Sequence, residues 1–495
     1  MVRQIKRISK SQYLRGLQCP KALWLYRHRP DLKPEISDAQ QHLFDIGHEV
    51  GEVAKGFFGE GLEIECESYE IDRAIELTEK AVGDGRRILY EATACSPDGA
   101  FSRIDILKKS VGSDGWDLVE VKAATAVKDY YIQDMALQRH AFLGAGYEIR
   151  KSILMHVNNH YLRSGDLDVK QLFTLEDCTA EVEKACNAVG GELNFLLKVV
   201  NSRSMPDIEI GDQCHDPFGC DYIGYCWAHV PDYSVYNVFR GRKLDQLLGE
   251  QILDIGDVPD HFDTTPRQFI DIDAYKRGRV HVDRPAIRTF LKGLVYPLYY
   301  LDYETINPAI PLFDRSRPYQ QIPFQFSLHI QDRRNGNLTH VEFLHVEQGD
   351  PRPFFIDAVI AACGGSGSVL VYNQSFESRI NRELAADFPA FADQLHGITD
   401  RMVDLIIPFR SRFLYNPEAA GSASLKAVLP AFVPDMSYDG MPIGDGGAAS
   451  RAYLACIRDA LPEEEKETIY RQLRAYCRQD TYAEVKLLEV LYEKG

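Results

Sequence analysis

The sequence predicts an α/β protein of two domains, and three patterns carry the prediction. Residues 101–108 and 116–122 alternate apolar and polar side chains on either side of a Gly-Ser-Asp-Gly turn, the pattern of a strand hairpin. Residues 293–301 form an apolar strand-like run that leads into Leu301-Asp302-Tyr303-Glu304-Thr305. Residues 463–492 repeat with a helical period. At 495 residues, 45% hydrophobic and 26% charged, the chain is globular in composition and too long for one ordinary core. The expected division is a first domain over residues 1–230, a partly helical connector over 231–292 and a second domain over 293–495. A Pro- and Asp-rich break at residues 257–266 marks the connector.

In the first domain the hairpin carries candidate chemistry. Glu120 and Lys122 lie two apart on a strand and share a face, which Asp105 on the partner strand can reach. Two carboxylates can bind a cation, and an ammonium beside them can stabilise an attacking hydroxide or the charge growing on a phosphate. An alternating Glu-Val-Lys strand is also an ordinary solvated face, so the pattern alone leaves both readings open. Cys214, Cys220 and Cys226 are evenly spaced, and Cys19, followed by Pro20, is the candidate for a fourth thiolate. Four thiolates hold an iron-sulfur cluster or a structural zinc, and spacing does not choose between them. Disulfides are the weaker option, because residues 1–13 lack the apolar core of a signal peptide and the remaining cysteines are scattered singly.

Taken together, these residues resemble the PD-(D/E)xK nucleases. The likeness is greater to the iron-sulfur subgroup of the RecB-like branch, which includes CRISPR adaptation nucleases and the AddB repair nuclease. In that subgroup one cysteine precedes the nuclease core and three follow it, as Cys19 and Cys214, Cys220 and Cys226 do here. Two of the trailing three are commonly closer together than in this chain. The resemblance implies a restriction-endonuclease-like core with helical additions and a 4Fe-4S cluster, with zinc as the alternative, stapling the ends of the domain. It also implies catalytic roles for Asp105, Glu120 and Lys122, an extra metal ligand in His48, and a motif glutamine in Gln138 on the helix after the hairpin. Phe142 stands where members usually carry Tyr.

In the second domain, alternation puts Asp302 and Glu304 on one strand face, and helical spacing puts Tyr476 and Asp480 side by side. Hard divalent cations such as magnesium or manganese favour carboxylate oxygens, and a pair of them can hold both the attacking and leaving oxygens of a phosphodiester. Either residue pair alone is common outside active sites. Their order, with Asn373-Gln374-Ser375-Phe376-Glu377 following a strand-like run between them, resembles the DEDD exonucleases of the branch that carries Tyr four residues ahead of the last Asp. Asp302 and Glu304 look like the first motif, Glu377 like the middle one, and Tyr476 and Asp480 like the third. The middle motif departs from the pattern, since Glu377 replaces the usual Asp, and Asp404 competes for its role. The resemblance implies an RNase H-like fold and two metal ions held by Asp302, Glu304, Glu377 and Asp480. It further implies that Tyr476 orients the attacking water and that nucleotides leave from a 3′ end.

A net charge of -17 argues against indiscriminate nucleic-acid binding by the whole surface. It does not exclude a nuclease, whose own acids contribute to the sum. Basic stretches that could track phosphate are Arg3, Lys6, Arg7, Lys10, Arg15, Lys21, Arg27, His28 and Arg29 near the start and Arg240, Arg242 and Lys243 near the middle. Trp24, Tyr26, Tyr236 and Phe239 beside them could stack unpaired bases or simply pack. No Gly-x-x-x-x-Gly-Lys loop occurs, so unwinding would need a partner such as a helicase. No apolar run approaches a membrane span, and a cytoplasmic address is expected. The expected function is a metal-dependent nuclease with both sites active on DNA ends in repair or defence, DNA being the expected partner ahead of RNA. One alternative is an RNA or DNA 3′-5′ exonuclease with the cysteine-bound domain as a clamp. Another is a non-enzymatic nucleic-acid-binding scaffold.

Overall fold

Strand pairing in the amino-terminal half follows the alternation of its side chains. The computed structural model describes residues 6–67, 69–458 and 460–495, so Arg3 of the first basic stretch lies outside the described residues. The first sheet contains β1 (Ile8–Ser9), β2 (Leu62–Glu63), β3 (Ile88–Cys95), β4 (Ala100–Lys109), β5 (Trp116–Lys122), β6 (Ile149–Val157) and β7 (Phe173–Asp177). Its order is β2-β3-β4-β5-β6-β7, with β1 pairing β4 in parallel. β3, β4 and β5 run antiparallel, whereas β5 and β6 are parallel and are joined through the helix Asp129–Gly144. A parallel neighbour requires such a crossover.

Helices cover both faces of this sheet. The helix Thr179–Asn201 and the crossover helix bury Leu193, Leu196, Leu137 and Met135 in one core. On the other face Val50 and Ala54 of the helix Asp38–Phe58 pack with Tyr90, Ile106 and Val119. Ala309 and Ile310 complete that second core. They come from Pro308–Tyr319, which belongs with the residues up to His229 in one compact unit. Arg163 holds this segment through its guanidinium, 2.7 Å from the Pro311 carbonyl.

The second unit comprises Val230–Asn307 and Gln320–Gly495. Its main sheet is built from β9 (Leu298–Ile306), β10 (Ile322–Gln331), β11 (Leu338–Leu344), β12 (Ser368–Val371) and β13 (Met402–Asp404), in the order β11-β10-β9-β12-β13. The strands β8 (His281–Val282) and β14 (Leu414–Tyr415) form a separate ribbon. β10 is antiparallel to β9, and β12 is parallel to it. Alternation along β9 sorts its side chains: Tyr299, Leu301 and Tyr303 join Phe355, Val359 and Ile380 in one core, while Leu298 and Tyr300 join Leu487, Leu488 and Leu491 in another. The last three belong to the long helix Glu463–Lys494, so Asp302 and Glu304, which continue the even-numbered row of β9, are placed on the long-helix side. Each large apolar side chain taken fully out of water stabilises this docking by roughly 1.5–3 kcal/mol.

Both halves are mixed α/β, as expected. Residues 231–292, expected as a partly helical connector, are helical in part. They carry the helices Arg242–Gly249, Pro266–Arg277 and Arg284–Lys292 and bury Tyr233, Phe239, Leu247, Ile255 and Ile272 in a core of their own. The Pro at residue 266 that read as a break instead starts a helix, with Thr265 and Gln268 forming a capping box. The guanidinium of Arg412 grips buried Asp271 on this helix through two bonds, of 2.6 and 3.1 Å. Replacing Arg412 by Ala should leave Asp271 buried and uncompensated and cost about 3–5 kcal/mol. Urea unfolding of the full chain should show this as a lower midpoint for the second unit, and an unchanged midpoint would mean that residues 231–292 are peripheral to it.

Candidate metal centres

In the second unit the long helix lies across the face of β9 that carries Asp302 and Glu304. Tyr476 and Asp480 project from that helix four residues apart, and Glu484 continues the same row. Ligand atoms of Asp302, Glu304 and Cys477 all lie within 4.8 Å of one another. The Cys477 thiol is 3.5 Å from the Asp302 carboxylate. Glu377 enters from the first turn of the helix Ser375–Asp387, just past β12. The turn before it needs a left-handed residue, supplied by Asn373 with φ of 83°.

Glu304, Glu377 and Asp480 are buried with half-buried Asp302 beside them, and that sets their protonation. Burial, followed by the charges of Asp480, Glu304 and Glu377, pushes the Asp302 carboxyl well above its usual range. Burial and then Asp480 do the same to Glu304, against the opposing ammonium of Lys426. Glu377 is raised to about 8 by burial, with a smaller push from Asp404. Asp480 is raised to about 6 by burial, in spite of hydrogen bonds from Tyr438 and Tyr476. The Tyr438 hydroxyl donates to Asp480 Oδ1 at 2.5 Å. Glu484 is also driven far up, by burial and then by Asp302, Glu377 and Asp480. Buried polar atoms normally find partners, yet Glu377 Oε2 and Glu484 Oε2 have none. An oxygen-rich, anionic set with unmatched oxygens has the donor chemistry of a hard divalent cation site.

Asp404, the rival to Glu377, is already engaged. Its Oδ1 accepts from the backbone N–H groups of Asn373 and Ile406, each at 3.1 Å, so it shapes the turn that presents Glu377. Sequence reasoning missed Glu484, Cys477, Tyr438 and Lys426. Lys426 sits over the rings of Tyr438 and Tyr476, at 5.6 and 5.9 Å.

In the first unit Glu120, Lys122 and Gln138 meet as one group. Lys122 Nζ donates to Glu120 Oε1 at 2.6 Å and to Asp134 Oδ2 at 2.8 Å, and Gln138 Nε2 donates to Glu120 Oε2 at 2.7 Å. Asp105 accepts from the Val121 N–H at 2.6 Å, and burial followed by the charge of Glu120 raises it to about 8. Glu120 is buried too, but Lys10 and Lys122 more than offset that and hold its carboxyl below the usual range. Lys10, read from sequence as part of a phosphate-tracking stretch, instead points into this group, 2.7 Å from Glu120 Oε1. Asp134 was not foreseen.

His48 is not drawn in. It is exposed on the helix Asp38–Phe58, whose buried face is carried by Val50 and Ala54, and no hydrogen bond or ion pair ties it to the acids. Phe142 is fully buried, edge-on to Tyr147 at 5.3 Å, in an apolar cluster where a tyrosine hydroxyl would need a partner. The aromatic residues of the basic stretches are largely committed internally. Trp24 stacks on His28 at 4.3 Å and donates to the Ser202 carbonyl, Tyr26 lies beneath Arg15, and Phe239 is core.

Cys19, Cys214, Cys220 and Cys226 line one small cavity. Cys19 ends the helix Lys10–Gln18 and begins the helix Pro20–His28. Neighbouring contacts clamp this junction to the trailing loop. The Gln18 amide donates to the carbonyls of Gln213 and Phe218 at 2.8 and 2.6 Å, and Arg15 pairs with Asp221 at 2.8 Å. The Tyr222 N–H points at Cys220 Sγ, 3.5 Å away, and all the cysteines are free thiols.

A family model described as a domain of unknown function, DUF2779, matches residues 299–424, a stretch that holds Asp302, Glu304, Glu377 and Asp404. The chain is 25% identical over 206 residues to the uncharacterized protein MG366 homolog of Mycoplasma pneumoniae, covering 38% of this chain and 31% of that protein. It is 26% identical over 207 residues to the uncharacterized protein MG366 of Mycoplasma genitalium, with the same coverage of 38% and 31%. Against the uncharacterized protein UU173 of Ureaplasma parvum it is 26% identical over 234 residues, covering 42% and 33%. The matched regions span about a third of the length of these relatives.

The raised carboxyls set a pH dependence. Glu377 binds its proton more tightly when folded, at about 8, than its usual value of 4.5, so its contribution to stability is complete below 4.5 and lost as pH rises through 8. Metal-free protein should therefore melt at a lower temperature at pH 8.5 than at pH 5. Manganese should restore the loss, and Glu484→Gln should flatten the slope. A melting temperature that rises over this interval in chelator would contradict the burial of these acids.

Proposed function

We propose that this protein is a metal-dependent nuclease with two active sites: an iron-sulfur RecB-like DNA nuclease in the first unit and a DEDD 3′-5′ exonuclease in the second. The observation that carries the reading is the meeting of Asp302, Glu304, Glu377 and Asp480, from three separate stretches of chain, in one buried group with unmatched oxygens. A mixed five-stranded sheet with the first acids on its central strand and the last on a helix across its face is the arrangement an RNase H-like exonuclease requires. In the first unit a mixed sheet presents Asp105, Glu120 and Lys122 on adjacent strands under the Gln138 helix, as a restriction-endonuclease-like core requires.

Magnesium or manganese, when bound, supplies an activated water and charge for the leaving oxygen. The chain's own part is positional. Asp302, Glu304, Glu377 and Asp480 would hold the cations, and Glu484, one helical turn past Asp480, would add to the negative charge of the site. Tyr476, hydrogen-bonded to Asp480 and beneath Lys426, has a hydroxyl fixed to orient water. In the first unit Lys122 is anchored to both Glu120 and Asp134, which fixes an ammonium where phosphate charge would grow.

For the cysteines the shared cavity suits four thiolates, the donor set of an iron-sulfur cluster or of a structural zinc. The reading takes the cluster because one cysteine precedes the nuclease core and three follow it. A DNA-end substrate, a helicase partner and a cytoplasmic setting in repair or defence belong to the same reading; no helix among the described residues is long and apolar enough to cross a membrane.

A second reading keeps only the second-unit site active, on RNA or DNA, with the cysteine-bound unit as a clamp. It is favoured by the crowding of Glu120, which already receives two ammonium groups and an amide. Full-length protein with magnesium or manganese and end-labelled single- and double-stranded DNA and RNA separates the two. We expect Asp480→Asn to remove 3′ mononucleotide release by at least about a thousandfold, and Lys122→Ala to remove a second, distinct DNA cleavage. Loss of all cleavage in Asp480→Asn with none lost in Lys122→Ala selects the second reading, and wild-type protein inert on every substrate overturns both.

A further inference from the structure

Lys10 is the second ammonium of the first centre, and it arrives by a rigid route. Ile8 and Ser9 pair with Ala100 and Phe101 on β4, the strand that carries Asp105. Ser9 then caps the helix Lys10–Gln18 through a capping box with Gln12, so the backbone of Lys10 is fixed at the first helical position. The other end of this helix is Cys19. Around the Lys10 ammonium stand Glu120 at 2.7 Å and Asp134 at 3.9 Å, with Asp105, Lys122 and Glu91 within electrostatic range.

We infer that Lys10 is the resident cation of the first centre and sets its affinity for divalent metal, occupying the side of Glu120 that a metal ion must share and yielding it when metal binds. This rests on the reading of the first unit as a metal-dependent site. A carboxylate oxygen offers two lone pairs, and both on Glu120 Oε1 are taken, by Lys10 at 2.7 Å and Lys122 at 2.6 Å; Oε2 receives Gln138. Three of the four lone-pair sites of Glu120 are thus filled, and an ion that uses Oε1 must displace a donor. Lys122 has a second anchor at 2.8 Å on Asp134, whereas the second contact of Lys10 is 3.9 Å long. Lys10 is therefore the cheaper to displace. Its flexible stem and 28% side-chain exposure give the ammonium somewhere to go. Asp134 Oδ1, buried and unpartnered, is an acceptor left over for the incoming ion or its water.

Calorimetric titration of the full-length protein with manganese tests this, the first-centre event being the one that Glu120→Gln removes. Lys10→Met should tighten that event about tenfold, Lys10→Gln should tighten it similarly with less change in packing, and Lys10→Arg, which keeps the charge, should stay within about twofold of wild type. Melting temperature in chelator, read in parallel, shows that each variant is folded. Glu120-dependent binding that is unchanged or weakened in both Lys10→Met and Lys10→Gln overturns the role of Lys10 alone. Absence of any Glu120-dependent manganese binding in wild type overturns the first-centre metal reading and this inference with it.

Discussion

The second unit is organised around an unfavourable act, the removal of several carboxylates from water at one place. Charge in a buried setting is expensive unless it is neutralised or paired. The acids have no room to retreat because apolar contacts on the same two elements fix their spacing. Tyr300 and Leu298 on β9 pack against Leu487, Leu488 and Leu491 of the long helix, and that docking determines where Asp302 and Asp480 must lie. Protons relieve the repulsion at low pH, and a bound cation would relieve it at neutral pH. The same hydrophobic seam thus stabilises the fold and enforces the electrostatic tension.

The first unit meets the same problem with its own cations. Glu120 is as buried as Glu377, yet its carboxyl is held low while that of Glu377 is pushed to about 8. The difference is the pair of ammonium groups, one from the adjacent strand position and one from the amino-terminal helix. Such compensation leaves a site ordered without metal. In the second unit the Lys426 ammonium opposes the burial of Glu304 and Asp480 without overcoming it.

Local period was enough to find much of this in the sequence. The two-residue spacing of Asp302 and Glu304 and the four-residue spacing of Tyr476 and Asp480 place all four on facing surfaces, and the hairpin with Asp105, Glu120 and Lys122 pairs as its alternation indicates. Glu484 lay one helical turn beyond a recognised motif and could have been found by continuing the count. Lys10 could not, since its partner is 110 residues away and nothing local distinguishes it from other basic residues of its stretch. The connector's partial helicity was legible, but its core was not, because that core is assembled from single apolar residues spread over many turns. For the aromatic residues near basic ones stacking and packing stayed open for a related reason: composition does not show that Phe239 faces inward.

The segment Pro308–Tyr319 leaves the second unit's polypeptide between β9 and β10, supplies Ala309 and Ile310 to the first unit's core, and then returns. A gene cut at the boundary near residue 230 would strip the amino-terminal half of part of its interior and leave apolar surface bare. The amino-terminal half is therefore not a free-standing cassette. A truncation meant to isolate it has to carry residues 308–319 along.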